Sequence, residues 1–221
     1  MIKAIIFDAY GTLISTGNGS VEAAKKILAL NRRGDIDPTE FYSRWKELHK
    51  KHKDTLDSFI TEEKIFEKDL CELYNLYSIN GDYKKDVQIM LDTLGKRKAF
   101  PESREVLALL SQKYIVAIGS TTDTAPLLSD IKNNHLEVTK VFTSEALRLY
   151  KPHRAFYEKI IAGLGVRANE ALFVGDSLID DVEGPQSVGM RACWVNRKGA
   201  SVREHLPDYE INNLRELLEI F

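Results

Sequence analysis

Two carboxylates in this chain sit where apolar runs end. Asp8 closes "KAIIFD" and Asp176 closes "ALFVGD", and Asp181 follows five residues later. Ser120 and Thr121 end a third apolar run, "YIVAIGS" and its next residue, and Lys151 lies shortly after a fourth, "KVFTS". An Asp at the end of a buried strand is costly unless it is paired or functional. A carboxylate held at a strand tip can act as a nucleophile, forming an ester or acyl phosphate that water then cleaves. Three acidic groups brought together repel one another, which raises their pKa values and depletes the reactive anion. Lys151 relieves part of that repulsion, and a bound Mg²⁺, which takes a few carboxylates with water and phosphate oxygens, relieves more. Ser120, Thr121 and the backbone N–H groups after Asp8 are then candidates to hold phosphate oxygens. The residue types thus favour a metal-assisted reaction on a small anionic substrate.

For these residues to meet, the strands that carry them must be parallel. Segments 3–8, 114–120, 140–144, 171–176 and 191–196 read as buried strands, each a largely apolar run that ends on a polar residue. Helix-period stretches separate them after residue 100, notably 102–113 and 154–165, and 181–190 also leads into a strand. Strands alternating with helices imply βαβ units in a Rossmann-like, doubly wound parallel sheet of the α/β class. Residues 16–98 show helical periodicity and no strand. The expected organisation is therefore a catalytic core from 1–15 plus 99–221, with a helical cap domain, 16–98, inserted after the first strand. The cap is expected over the C-terminal strand ends, where open α/β sheets place their ligands.

Composition sets the remaining bounds. The chain has 221 residues, 43% hydrophobic and 29% charged, with a formal net charge of −2. That balance supplies no global field for nucleic acid or an anionic membrane. The basic run "KELHKKHKD" (46–54) is read as a solvated helix face. Cys71 and Cys193 have no metal-ligand spacing and are read as plain thiols. No apolar run approaches the roughly 18 residues of a membrane span, so a cytoplasmic monomer or homodimer acting on a small molecule is the expectation.

The motifs resemble those of the haloacid dehalogenase (HAD) superfamily of hydrolases, over essentially the whole chain. "FDAYGTL" is similar to its first motif and implies Asp8 as nucleophile, with Tyr10 and Thr12 as substrate contacts. "VAIGST" is similar to the second, where Ser120 binds the transferred group; "LYKP" supplies the motif-three Lys151. "VGDSLIDD" resembles the fourth and implies Asp176 as a metal ligand supported by Asp181, or by Asp180 one residue earlier. In the family's phosphatases the Tyr10 position holds an aspartate that protonates the leaving group, and its backbone carbonyl binds the metal. A tyrosine there, Tyr157 six residues after Lys151, "CWVNRKG" and the ending "LRELLEIF" instead resemble the L-2-haloacid dehalogenases, which need no metal. Tyr157 matches an active-site tyrosine of theirs and is so a candidate substrate contact. Those enzymes carry small neutral residues where Asp176 stands and an Asn where Thr121 stands. They also clamp the substrate carboxylate with a cap arginine, for which Arg44 and Lys46 in "SRWKEL" are the candidates, Lys46 giving only a point charge.

The resemblance implies three readings. The favoured one is a Mg²⁺-dependent phosphatase on a small phosphomonoester, with Asp8, Asp176, Asp181 and the Tyr10 carbonyl around the metal. The second is a metal-free haloacid dehalogenase. The third is a non-catalytic binder of phosphorylated metabolites.

Overall fold

A computed structural model of the chain describes residues 1–201 and 206–221. In chain order, β1 (Ala4–Phe7) is followed by α1 (Gly19–Leu30), α2 (Pro38–Asp54), α3 (Glu62–Leu76) and α4 (Tyr83–Leu91). Then come α5 (Ser103–Leu110), β2 (Ile115–Ser120), α6 (Thr124–Asn133), β3 (Lys140–Thr143), α7 (Ser144–Leu147) and α8 (Arg154–Leu164). The rest comprises β4 (Ala171–Gly175), a π-helical turn Leu178–Glu183, α9 (Gly184–Ser187), β5 (Arg191–Val195), β6 (Tyr209–Ile211) and α10 (Leu217–Ile220). The chain divides into two compact units: Met1–Ser15 with Lys98–Phe221, and Thr16–Arg97.

The first unit is a six-stranded parallel sheet of order β3-β2-β1-β4-β5-β6, with flanking helices. It is a Rossmann-like α/β fold. Each central strand alternates its side chains between two apolar layers, as a period of two requires. Ile5, Phe7, Val116, Ile118, Leu172 and Val174 pack on one face with Leu107 of α5. Ala4, Ile6, Ala117, Ala171 and Phe173 pack on the other with Phe156, Tyr157 and Ile160 of α8. The strand order reverses at β1, whose neighbours are β2 and β4. Such a switch point opens a crevice at the carboxyl ends of the strands, and Asp8 and Asp176 are the first residues beyond β1 and β4.

Two local expectations need correction. The short strand β6 extends the sheet beyond the five strands read from the sequence; only Ile211 of its three residues is buried, too little to give a pattern. The segment 181–190 does not form one helix: a π-helical turn precedes the single turn α9.

The second unit is made of α1–α4 around its own core, in which Ala24, Ile27, Phe41, Trp45, Leu70, Leu73 and Met90 are buried. Asp37 starts α2 by accepting from the Thr39 and Glu40 N–H groups, with Pro38 at the first helical position. Phe41 and Trp45, one turn apart, meet edge to face with ring centroids 6.1 Å apart. The run 46–54 is not a simple solvated face. His52 is buried at 4% exposure. Its Nδ1 lies 2.6 Å from Asp69 Oδ1 and its Nε2 2.8 Å from Glu72 Oε2. The wholly buried Asp69 also accepts from Trp45 Nε1 at 3.2 Å and lies 2.7 Å from His49 Nδ1. One carboxylate on α3 therefore ties down three side chains of α2, a network whose members are costly to leave unsatisfied. Asp69→Ala should destabilise the protein by about 3 kcal/mol, measured by urea denaturation, and a loss below about 1 kcal/mol would show that the network contributes little.

Candidate active site

Asp8 continues the β1 ladder by donating its N–H to Val174 O at 2.8 Å, which fixes it at the switch point. Lys151 is 2% exposed, and its Nζ donates to Asp8 Oδ1 and Asp181 Oδ1, both at 2.8 Å. The Phe173 ring backs the ammonium with its centroid 4.7 Å away. Asp181 is held from the opposite side by the Ser177 N–H, which donates to its Oδ2 at 3.0 Å. Asp176 is the exposed member; Thr12 Oγ1 donates to its Oδ1 at 3.4 Å, and Trp194 Nε1 holds its backbone carbonyl at 3.0 Å.

Two glycines make this crowding possible. A Cβ on Gly11, whose φ is +101°, would lie 2.4 Å from Asp176 Oδ2, and one on Gly175 would lie 2.2 Å from Asp181 Cγ. The "YGT" turn and the "VGD" strand end thus need glycine because carboxylates occupy the space beside them.

One oxygen from each of Asp8, Asp176 and Asp181 falls within a mutual 4.8 Å, a donor set suited to a hard divalent cation. Burial raises the Asp8 pKa and the Asp176 charge adds to it, while Lys151 and the Ala9 N–H pull the other way. For Asp176, loss of surrounding water and the Asp181 charge act upward. Asp181 is pushed up to about 7, first by burial and then, against the pull of Lys151, by Asp8. Burial depresses the Lys151 pKa, but Asp181 and Asp8 outweigh it and keep the ammonium charged. One cation against three carboxylates leaves the cluster short of positive charge, a deficit that a divalent ion would fill.

The structure therefore brings Asp8, Lys151, Asp176, Asp181 and Thr12 into one cluster. Ser120 is buried at the end of β2, which pairs with β1, and the half-exposed Thr121 follows it. Of the adjacent acids, Asp181 faces Lys151, whereas the Asp180 carbonyl accepts from the Tyr157 hydroxyl. Tyr157 is wholly buried and packs edge to face on Phe173. It underpins the turn that carries Asp181, at a point where Gly184 leaves no room for a side chain. Tyr10 is half-buried, and its hydroxyl donates to Asp130 Oδ2 on α6 at 2.9 Å. Lys46 lies in the helical unit, exposed on α2, with its Nζ 5.3 Å from the Tyr42 ring centroid.

Sequence reasoning missed Asp130, Ser177 and Trp194 as supports of the site. Asp130 is a lone acid in a helix 120 residues from Tyr10, and nothing local marks it. Ser177 and Trp194 lie inside quoted motifs, but Ser177 donates its backbone N–H and the Trp194 indole N–H donates to a backbone carbonyl, contacts that no residue pattern displays.

Residues 2–189 match the family model described as haloacid dehalogenase-like hydrolase, and the chain belongs to that family. It is 27% identical to a glyceraldehyde 3-phosphate phosphatase of Pyrococcus furiosus, over 99% of this chain and 92% of the relative. It is 26% identical to (S)-2-haloacid dehalogenase 4A of Burkholderia cepacia, over 98% of this chain and 93% of the relative. Among solved structures, the putative HAD-hydrolase YfnB from Bacillus subtilis bound to magnesium superposes with a TM-score of 0.85 at 18% identity, covering 99% of this chain and 98% of that one. The L-2-haloacid dehalogenase of Xanthobacter autotrophicus gives 0.80 at 22% identity, covering 100% and 98%. The protein is a HAD-family hydrolase whose full-length relatives include both phosphatases and dehalogenases.

The raised carboxylate pKa values set the sign of a pH effect. In metal-free protein the folded state binds more protons than the unfolded state between the ordinary Asp value and about 7. Their stabilising contribution is present at low pH and lost as pH rises through that window. A Mg²⁺ ion bound to this cluster would have to displace those protons, so its thermal-shift stabilisation should be larger at pH 8 than at pH 5. Asp176→Asn should abolish the shift while raising metal-free stability at pH 8 by about 1 kcal/mol, through removal of one repelling charge. An equal Mg²⁺ shift in wild type and variant would exclude this cluster as the binding site.

Tyr157→Phe should weaken Mg²⁺ retention about tenfold in the same assay, because it frees the Asp180 carbonyl and loosens the Asp181 turn. Unchanged retention would limit Tyr157 to packing.

Proposed function

We propose that this chain is a Mg²⁺-dependent phosphatase acting on a small phosphomonoester through a covalent Asp8 intermediate. The observation that carries the reading is Asp176: a third carboxylate beside Asp8 and Asp181, with one lysine to balance them. An anionic haloacid entering that cluster without a metal meets uncompensated negative charge. Asp8, Asp176 and Asp181, with the Tyr10 backbone carbonyl, would hold the ion. Once bound, it would supply the positive charge that phosphoryl oxygens require.

The chain's own residues carry the steps. Lys151 occupies Asp8 Oδ1 and keeps the carboxylate ionised and oriented, which leaves its other oxygen to attack phosphorus. The P–O bond to the leaving group breaks as the Asp8–phosphorus bond forms. Water then cleaves the aspartyl phosphate, releasing phosphate and restoring Asp8. Ser120 and Thr121 are the proposed hydrogen-bond donors to the phosphoryl oxygens, and Thr12 orients Asp176. We assign substrate selection to the helical unit as a cap domain, with Lys46 as its candidate anion contact.

One observation favours the dehalogenase reading: the side chain at the proton-donor position is a tyrosine whose hydroxyl is already bonded to Asp130. A single panel separates the two readings. Phosphate esters with and without Mg²⁺, and L-2-haloacids in EDTA, should yield inorganic phosphate only in the Mg²⁺ arm. Asp8→Asn should lower that turnover at least about 10³-fold. Halide release in EDTA with no phosphate release would replace this reading with the second.

A further inference from the structure

We infer that the Tyr10–Asp130 pair restricts this site to leaving groups that depart as stable anions, without taking a proton from the enzyme. The inference rests on the covalent Asp8 reading and narrows its substrate class to phosphate esters of acidic alcohols, such as aryl or enol phosphates, and to acyl phosphates. Tyr10 lies two residues past the nucleophile, in the turn that passes through Gly11 and Thr12. Its hydroxyl is directed onto Asp130 Oδ2 at 2.9 Å. Asp130 is wholly buried on α6, so its carboxylate depends on protein donors and binds this one firmly.

Two other donors near Asp8 are also engaged. Lys151 donates to both Asp8 and Asp181, and Thr12 donates to Asp176. In the first step, the electron pair of the breaking P–O bond therefore leaves on the alcohol oxygen. The departing alkoxide, phenoxide or carboxylate takes any proton from water after it leaves. A simple alkoxide is a poor leaving group under those conditions, and a side-chain acid would have been worth roughly 10²–10⁴-fold to it.

The test is a leaving-group series under saturating Mg²⁺: 4-nitrophenyl phosphate, phenyl phosphate and glycerol phosphate, each followed by phosphate release. In wild type, kcat/KM should fall by at least about 10²-fold from the nitrophenyl to the alkyl ester. Tyr10→Asp, which places an unanchored carboxyl at this position, should narrow that gap about tenfold or more. Asp130→Ala, which frees the hydroxyl, should narrow it in the same direction. A wild-type gap under about tenfold would reveal a proton donor elsewhere and overturn the inference. So would a uniform loss across the series in both variants, since that marks a purely structural pair. If no ester turns over, the phosphatase reading is the one that has failed. Halide release from L-2-haloacids would then still support departure as a bare anion, and inert haloacids would overturn the inference as well.

Discussion

The buried Lys151 ammonium between Asp8 and Asp181 is the interaction on which the rest of the core depends. Two carboxylates at 7% and 1% exposure could not remain ionised side by side without it. Withdrawing one partner from such a buried set typically costs about 3–5 kcal/mol, because the remaining charge is left uncompensated. The three residues come from three distant points: the end of β1, the segment before α8, and the π-helical turn after β4. Their meeting therefore fixes how these segments close over the sheet edge. Phe173 beneath the ammonium and the Ser177 N–H on Asp181 leave this arrangement little freedom.

Asp176 stands apart from that triad. It is solvent-facing, has no ion pair of its own among the described residues, and is accommodated because Gly11 has no Cβ. A carboxylate packed so closely against a turn, and raised in pKa by burial and then by the Asp181 charge, is poor for the stability of the metal-free protein. Strain of this electrostatic kind collects at functional sites, where a ligand relieves it. The same reasoning explains why the π-helical turn persists at Leu178–Glu183: it presents Asp181 to Lys151 while lending the Asp180 carbonyl to Tyr157.

Much of this was legible in the sequence because it depends on periodicity and on strand ends. The apolar runs closing on Asp8, Ser120 and Asp176 showed which residues would share one sheet edge once the strands were parallel. The helical stretch after the first strand showed where the sheet is interrupted. What was not legible lies in contacts over long sequence separations. His52 and Asp69 face each other across two helices, and a basic run gives no sign that one of its histidines turns inward. Tyr10 and Asp130 meet only once α6 is placed. The strand β6 carries one buried residue, and Tyr157 reads the same in a helix pattern whether its hydroxyl meets a substrate or a backbone carbonyl.

Tyr10 and Asp176, which pointed to different chemistries when read as motif positions, are compatible once their partners are considered. Asp176 answers for charge: it adds a third carboxylate to a cluster that Lys151 alone does not balance, as the proposed metal-assisted reaction requires. Tyr10 answers for protons: its bond to Asp130 removes it from the transfer that an alkyl leaving group needs. A metal-assisted attack on phosphorus requires the first condition and does not require the second, provided the departing group is already a stable anion. The two positions therefore do not have to be reconciled by discounting either one. Together they fit the proposed chemistry, a charge-neutralising centre with no side-chain acid at the point of departure.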